Sequence, residues 1–224
     1  MAAAPDPPWW RKRAEPSRER QPLTRDAIVD AALVVLEREG MDGLSMRKLA
    51  QELGAGAASL YWHVGDKEEL LSLLLDRIVG ESKIPDPDPE HWQDQVREMA
   101  RAAREQFKSR RDAARLSMGR IPTGPNSLPV MERNLAVMAA AALPPQIIAY
   151  AADLFALYVG AFAYEESLGS TDPAQFAEYL RSLPPEDFPV ITGLADDLTA
   201  GGADERFEFG VEVLIAGLEV LAAR

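Results

Sequence analysis

Two short helix-forming segments around a glycine-containing turn, residues 45–64 (SMRKLAQELGAGAASLYWHV), constrain this chain more than any other feature. Ser45 is placed to cap the first segment, which turns Leu49, Ala50 and Leu53 inward before Gly54 closes it. The second segment, about Ala57 to His63, buries Leu60 and Val64. With those two facing inward, Ala58, Ser59 and Trp62 point away, and Tyr61 and His63 lie on the flanks. In a helix-turn-helix the second helix lies in the DNA major groove and its outward side chains meet phosphates and base edges. The pattern therefore predicts DNA binding.

The residue types suit that role. The hydroxyls of Ser59 and Tyr61 fit phosphate or base contacts, Trp62 offers one N–H donor or a surface for a thymine methyl, and His63 reaches phosphate. Lys67 adds positive charge at the start of the next helix, where unpaired backbone N–H groups already favour an anion. In the first helix, Arg47 is the candidate for two-point recognition of guanine, with Ser45 and Lys48 beside it. Tyr61 and Trp62 would fit a core equally well in isolation. A Tyr-Trp-His run ending a two-turn helix favours DNA.

A net charge of −12 is at first sight wrong for such a protein. The distribution removes the objection. Residues 1–83 carry 12 Lys/Arg against 14 Asp/Glu, while residues 84–224 carry 12 against 22. The excess acid lies outside the proposed DNA-binding part, where Arg11, Lys12, Arg13, Arg18, Arg20, Arg25, Arg47, Lys48 and Lys67 supply a local basic face.

There is no cysteine, hence no disulfide framework, thiolate metal site or thiol nucleophile. No uninterrupted apolar run approaches the ~20 residues of a membrane span, and the N-terminus lacks a signal-peptide core, so a cytoplasmic protein with no membrane contact is expected. Residues 1–22 read as a disordered basic arm, either an unstructured tail or a segment that reaches phosphates or a minor groove. Helices follow at 24–39, 45–53, 57–63 and 66–80, the last opened by the capping-box spacing of Asp66 and Glu69. The segment IPDPDPE (84–90) marks a boundary between a DNA-binding domain, 23–83, and a second domain, 84–224. Beyond it the periodicity predicts helices at 91–108, 110–116, 125–142, 144–168, 172–183 and 203–223, with a loop before the last. The fold class is all-α: a three-helix helix-turn-helix unit and a larger helical domain, nine or ten helices in all.

The helices at 144–168 and 203–223 carry more apolar surface than a domain of this size needs for itself. Leu154, Leu157, Val211, Leu214 and Leu218 are the candidates for a two-fold interface in which this pair packs on its symmetry mate as a four-helix bundle. The plain alternative is that they are core. Catalytic candidates are absent: no glycine-rich phosphate loop, no carboxylates at metal spacing and no histidine in the helical core, so neither an enzyme nor a metal site is expected.

The stretch GLSMRKLAQELGAGAASLYWHVGDKEELL (43–71) resembles the helix-turn-helix of the tetracycline-repressor (TetR) family, most closely in RKLAQELG and LYWHV. A weaker resemblance to the same family's C-terminal domain runs from Trp92 through WQDQVREM and SRRDAARLSMG to the end. It implies a homodimeric regulator, most simply a repressor, that binds a palindromic double-stranded operator and is released by a small molecule. Ala57 and Ala58 stand where tetracycline repressors have base-reading Gln and Pro, so the operator is not carried over. The family's metal-binding histidine falls on Arg110, and polar and aromatic drug contacts fall on Met99 and Ala103. A tetracycline–magnesium effector is therefore rejected.

An apolar small-molecule effector is expected instead, with no other cofactor. Trp92, Met99, Ala103, Phe107, Arg110, Met118, Met131, Leu135, Met138, Phe155, Tyr158 and Phe162 are the candidate lining, since Met and aromatics suit adaptable binding. Each could equally be ordinary core, and Arg110 either a charge partner for an acidic ligand or half of a surface salt bridge. The alternative to a regulator is a helical interaction or ligand-binding module that does not touch DNA.

Overall fold

The computed structural model describes residues 23–169 and 172–222. The N-terminal arm, with Trp9, Trp10 and its basic residues, lies outside the described residues, as do 170–171 and 223–224. Among the described residues there are twelve helices and no strand. They are α1 (Arg25–Gly43), α2 (Met46–Glu52), α3 (Ala57–Tyr61), α4 (Lys67–Gly80), α5 (Trp92–Lys108), α6 (Ala113–Ser117), α7 (Ser127–Ala139), α8 (Pro145–Ser167), α9 (Pro173–Arg181), α10 (Pro189–Gly193), α11 (Ala195–Thr199) and α12 (Ala203–Ala222). The all-α class is as the sequence predicts. The two helices beyond the expected ten, α10 and α11, occupy the segment read as a loop. Each is five residues long, too short for a 3.6-residue period to show, and α10 buries nothing.

Side-chain caps open the helices where the sequence places them. The Thr24 hydroxyl accepts from the Ala27 N–H, the Ser45 hydroxyl from Lys48 N–H and Asp66 from Glu69 N–H. Gly40 breaks α1 as expected, with φ 76° and ψ 177°, but a further helical turn follows it to Gly43.

Two apolar cores result. The first gathers Ile28, Ala32, Val35 and Leu36 of α1, Leu49 of α2, Leu60 and Val64 around α3, and Leu70, Leu71, Leu74, Leu75 and Ile78 of α4. Ala113 and Leu116 of α6 belong to this same core. The second gathers Trp92, Val96 and Ala100 of α5, Val137 and Met138 of α7, Phe155, Val159 and Phe162 of α8, and Phe207, Val211, Ile215 and Leu218 of α12. Helix α4 joins the two, because it is apolar on more than one face: it packs on α1 on one side and on α6 and α7 on the other.

One helix, α8 with 23 residues, is long and apolar enough by composition to cross a membrane, although no unbroken apolar run of that length occurs in it. A single charge, Asp153, within its first half hides the pattern from a search for unbroken runs. Its contacts are those of a core helix, against α5, α6, α7 and α12.

Buried polar groups stitch these layers. The Asp76 carboxylate of α4 accepts from the Asn126 side chain (2.7 Å), the Ser127 N–H (2.8 Å) and the Ser127 hydroxyl (2.7 Å) at the start of α7. Burial alone would raise its pKa; the bonds from Ser127 and Asn126 outweigh that and hold it below the ordinary carboxylate value. Gly124 leaves the space the carboxylate fills, since a Cβ there would collide with it. In the second core, Arg104 of α5 forks onto both oxygens of Glu166 on α8 at 2.7 Å and reaches Asp204 at 2.8 Å. Its guanidinium also lies over the Phe207 and Phe162 rings, 4.7 and 5.3 Å from their centroids. These partners raise the arginine further above its usual value and lower Glu166.

Candidate nucleic-acid interface and effector domain

Recognition helix α3 is short because its sequence gives it little support. Gly56 precedes it with no side-chain cap, and the chain leaves helical bonding at Trp62. Leu60 anchors it: the side chain is fully buried, and its carbonyl accepts from both His63 and Val64 N–H at 2.9 Å. That register turns Trp62 outward at 89% exposure and Tyr61 at 51%. Ala57, Ala58 and Ser59 are exposed beside them, and His63 is half-buried.

On α2, Arg47 is exposed and makes no ion pair among the described residues. The other two basic residues near the site are engaged: Lys48 pairs with Glu39 of α1, and Lys67 donates to the Met41 carbonyl at 3.3 Å. Ser45 spends its hydroxyl as the α2 cap. Thus Arg47, Ala57, Ala58, Ser59, Tyr61 and Trp62 are free on the open surface, whereas Ser45, Lys48 and Lys67 hold the scaffold. One residue that sequence reasoning counted only as basic charge, Arg25, bonds to the exit of α3: Nε donates to the His63 carbonyl at 3.1 Å and Nη2 to Glu69 at 2.9 Å. Nothing local in the sequence pairs residues 38 positions apart.

In the larger domain the candidate lining residues separate into groups. Trp92, Met138, Phe155 and Phe162 are buried in the second core, and Met99, Ala103, Phe107 and Tyr158 pack half-buried against it. Met118, Met131 and Leu135 are half-buried. Arg110 pairs with Glu81 at 2.6 Å, the salt-bridge alternative. A half-open cleft of about 460 Å³ between α5, α6 and α8 is lined by two members of the set, Phe107 and Arg110, together with Lys108, Asp112, Ala163 and Glu166. Tyr158 is committed elsewhere. Its hydroxyl donates to the Phe207 carbonyl at 2.9 Å, burial raises its pKa, and Gly210 leaves room for the ring.

The interface candidates also divide. Leu154 and Leu157 are exposed on α8 and Leu214 is half-exposed on α12, but Val211 and Leu218 lie in the protomer's own core. The reason is helical phase: Phe207, Val211, Ile215 and Leu218 follow a 4, 4, 3 spacing along one inward stripe. The exposed apolar strip of α12 is instead Phe209, Val213 and Val220; on α8 the exposed large apolar residues are Tyr150, Leu154 and Leu157. Among the described residues no group of three or more metal-ligating side chains occurs. His91 sits on Asp88 at 3.0 Å, outside the cleft.

Comparison with known proteins agrees with this architecture. Residues 28–74 match the bacterial regulatory proteins of the tetR family, and residues 84–222 match the tetracyclin repressor-like C-terminal domain. An HTH-type transcriptional regulator of Saccharopolyspora erythraea is 34% identical over 98% of this chain and 94% of its own length. The HTH-type transcriptional repressor DrrR1 of Streptomyces coeruleorubidus is 33% identical, covering 96% of this chain and 84% of its own. Among solved structures, apo ActR of Streptomyces coelicolor superposes with a TM-score of 0.86 at 44% identity, over 91% of this chain and all of that one. ActR has also been crystallised with actinorhodin, and that complex superposes equally well. Regulators of this kind are DNA-binding transcription factors rather than enzymes, bind small-molecule effectors and function as dimers. The chain belongs to the tetR family of bacterial transcriptional regulators, with a tetracyclin repressor-like C-terminal domain.

Proposed function

We propose that this protein is a dimeric, ligand-responsive transcriptional repressor that binds a palindromic operator and is released by a small molecule other than a tetracycline–magnesium complex. The observation that carries the reading is the recognition helix itself: Trp62, 89% exposed, and Tyr61, half exposed, face outward on a helix seated by buried Leu60, and Arg47 of α2 is exposed with no ion pair among the described residues. Exposing a tryptophan to this extent gains nothing for the fold and suits a surface that meets DNA. Residues 23–83 form the DNA-binding unit in this reading and 84–224 the effector and dimerisation unit, working in the cytoplasm where the operator is.

The exposed strips of α8 and α12 are suited to pack on their symmetry mates as a four-helix bundle, which would set the separation of the two recognition helices. The effector is apolar with at most a few polar groups. In support, ActR binds actinorhodin, and the second core here includes Met138 and the aromatic rings of Trp92, Phe155, Phe162 and Phe207, side chains suited to repacking around a ligand. Arg110 in place of a ligating histidine argues against a metal–drug complex.

Footprinting on DNA flanking the gene tests the proposal. Two protected half-sites about one helical turn apart and related by a two-fold axis are expected. Absence of any discrete protected site at physiological salt would overturn it.

A further inference from the structure

Arg25 and Glu69 together form a clamp on the exit of the recognition helix. Arg25, the first residue of α1, donates from Nε to the His63 carbonyl and from Nη2 to Glu69 Oε1. The other oxygen of Glu69 accepts the Gly65 N–H at 2.7 Å. One guanidinium and one carboxylate thus hold both ends of the three-residue turn 63–65 that follows Tyr61 and Trp62. The usual capping-box bond, from Glu69 back to its own cap residue, is given up: Asp66 still accepts the Glu69 N–H, but the Glu69 side chain reaches past it to Gly65.

The turn needs such a clamp. Helix α3 has five residues and no side-chain cap at its start, so its seat among the described residues rests chiefly on the burial of Leu60 and Val64. Two apolar anchors set its depth but leave rotation about them weakly specified, and rotation decides where Tyr61 and Trp62 point.

We infer that Arg25 and Glu69 are positioning residues for operator binding, acting on the recognition helix through the 63–65 turn and not through phosphate. Both side chains are substantially exposed, with 57% and 39% of their area accessible, so the pair adds little to global stability. A contact shifts an orientational equilibrium by no more than its own free energy, so its loss should weaken specific binding by about two- to fivefold. The inference rests on the DNA-binding reading. If footprinting yields no operator, that reading fails first; with an operator in hand, the clamp stands or falls alone.

The test uses the full-length dimer and the footprinted duplex, beside a scrambled duplex of equal length. Glu69→Gln is the decisive variant. It removes a negative charge from the DNA-facing side, so electrostatics alone would tighten binding to both duplexes, whereas the clamp requires weaker binding to the operator and not to the scrambled one. Arg25→Lys keeps the charge but cannot bridge both acceptors. It should weaken operator binding to a similar extent with an unchanged salt slope, and the double variant should be no weaker than the weaker single. Tighter or unchanged operator binding by Glu69→Gln, or additive losses in the double variant, would overturn the inference. Wild-type affinity in Arg25→Lys would overturn it equally, since a point charge would then suffice. Should Glu69→Gln melt below the assay temperature, Arg25→Lys carries the test on its own affinity and slope.

Discussion

Asp76 accepts both the backbone N–H and the hydroxyl of Ser127, at 2.8 and 2.7 Å, and so makes α4 the cap of α7. The helix that ends the DNA-binding head is thereby fastened to the body by a buried carboxylate instead of by packing alone. Asp76→Asn places an amide against donors that already point at it, and should cost about 2–3 kcal/mol. A urea titration followed by circular dichroism measures this; a change under about 0.5 kcal/mol would mean the bonds are formed to water equally well.

The same carboxylate gives the protein an acid limit. Its folded pKa lies below the value of ~3.9 in the unfolded chain, so its contribution is complete above that value. The contribution falls away as pH drops toward the folded pKa. Glu166, lowered by Arg104, behaves alike. Between pH 5 and 7 neither group should change the melting temperature; below about pH 4 both should lower it, and Asp76→Asn should flatten that acid limb.

Removing Arg104 takes the forked partner from the nearly buried Glu166 and leaves it Lys108 at 3.6 Å as its remaining counter-charge. Arg104→Met should destabilise by about 2–3 kcal/mol, because Lys108 at 3.6 Å compensates the largely buried carboxylate less well than the lost fork. Pairing it with Glu166→Leu should recover most of the loss. Calorimetry on the two variants decides whether the ion pair supplies net stability or only mutual tolerance.

Trp62→Ala should abolish most operator affinity while moving the unfolding midpoint by less than about 0.5 kcal/mol, since the side chain packs against almost nothing. Gel-shift and melting measurements on one preparation separate these effects. A large stability loss would place Trp62 in the fold and not on the DNA.

The two apolar faces of α8 and α12 predict opposite phenotypes. Leu157→Glu, on the exposed strip, should dissociate the dimer at micromolar concentration in sedimentation experiments. Val211→Ala, on the inward stripe, should leave association intact and cost about 1 kcal/mol or more of stability through the cavity it creates.

Much of this was legible in the sequence wherever information is local. Helix α3 announces itself by Leu60 and Val64 four apart with aromatics between, and caps at Thr24, Ser45 and Asp66 by residue type. What escaped is long-range. The phase of α12 was ambiguous because Val211, Val213, Leu214 and Leu218 are all apolar, and only packing against α5 and α8 chooses which stripe goes in. The roles of Arg25, Asp76 and Arg104 depend on partners 38 to 100 residues away. A charge inside an apolar run, as at Asp76 in LLSLLLDRIVG, was the available signal; it said that a partner must exist without saying which.

Gly40 and Asp112 meet back to back, both in the left-handed region, with the Asp112 carboxylate accepting the Met41 N–H at 2.7 Å. Beside this joint, Ala113 and Leu116 fill the core of the head although they belong to the body. The head is therefore no detachable module. A chimera that grafts it onto a relative's body must bring residues 110–116 with it, and exchange of DNA specificity among such regulators is easier by rewriting surface side chains than by trading whole domains.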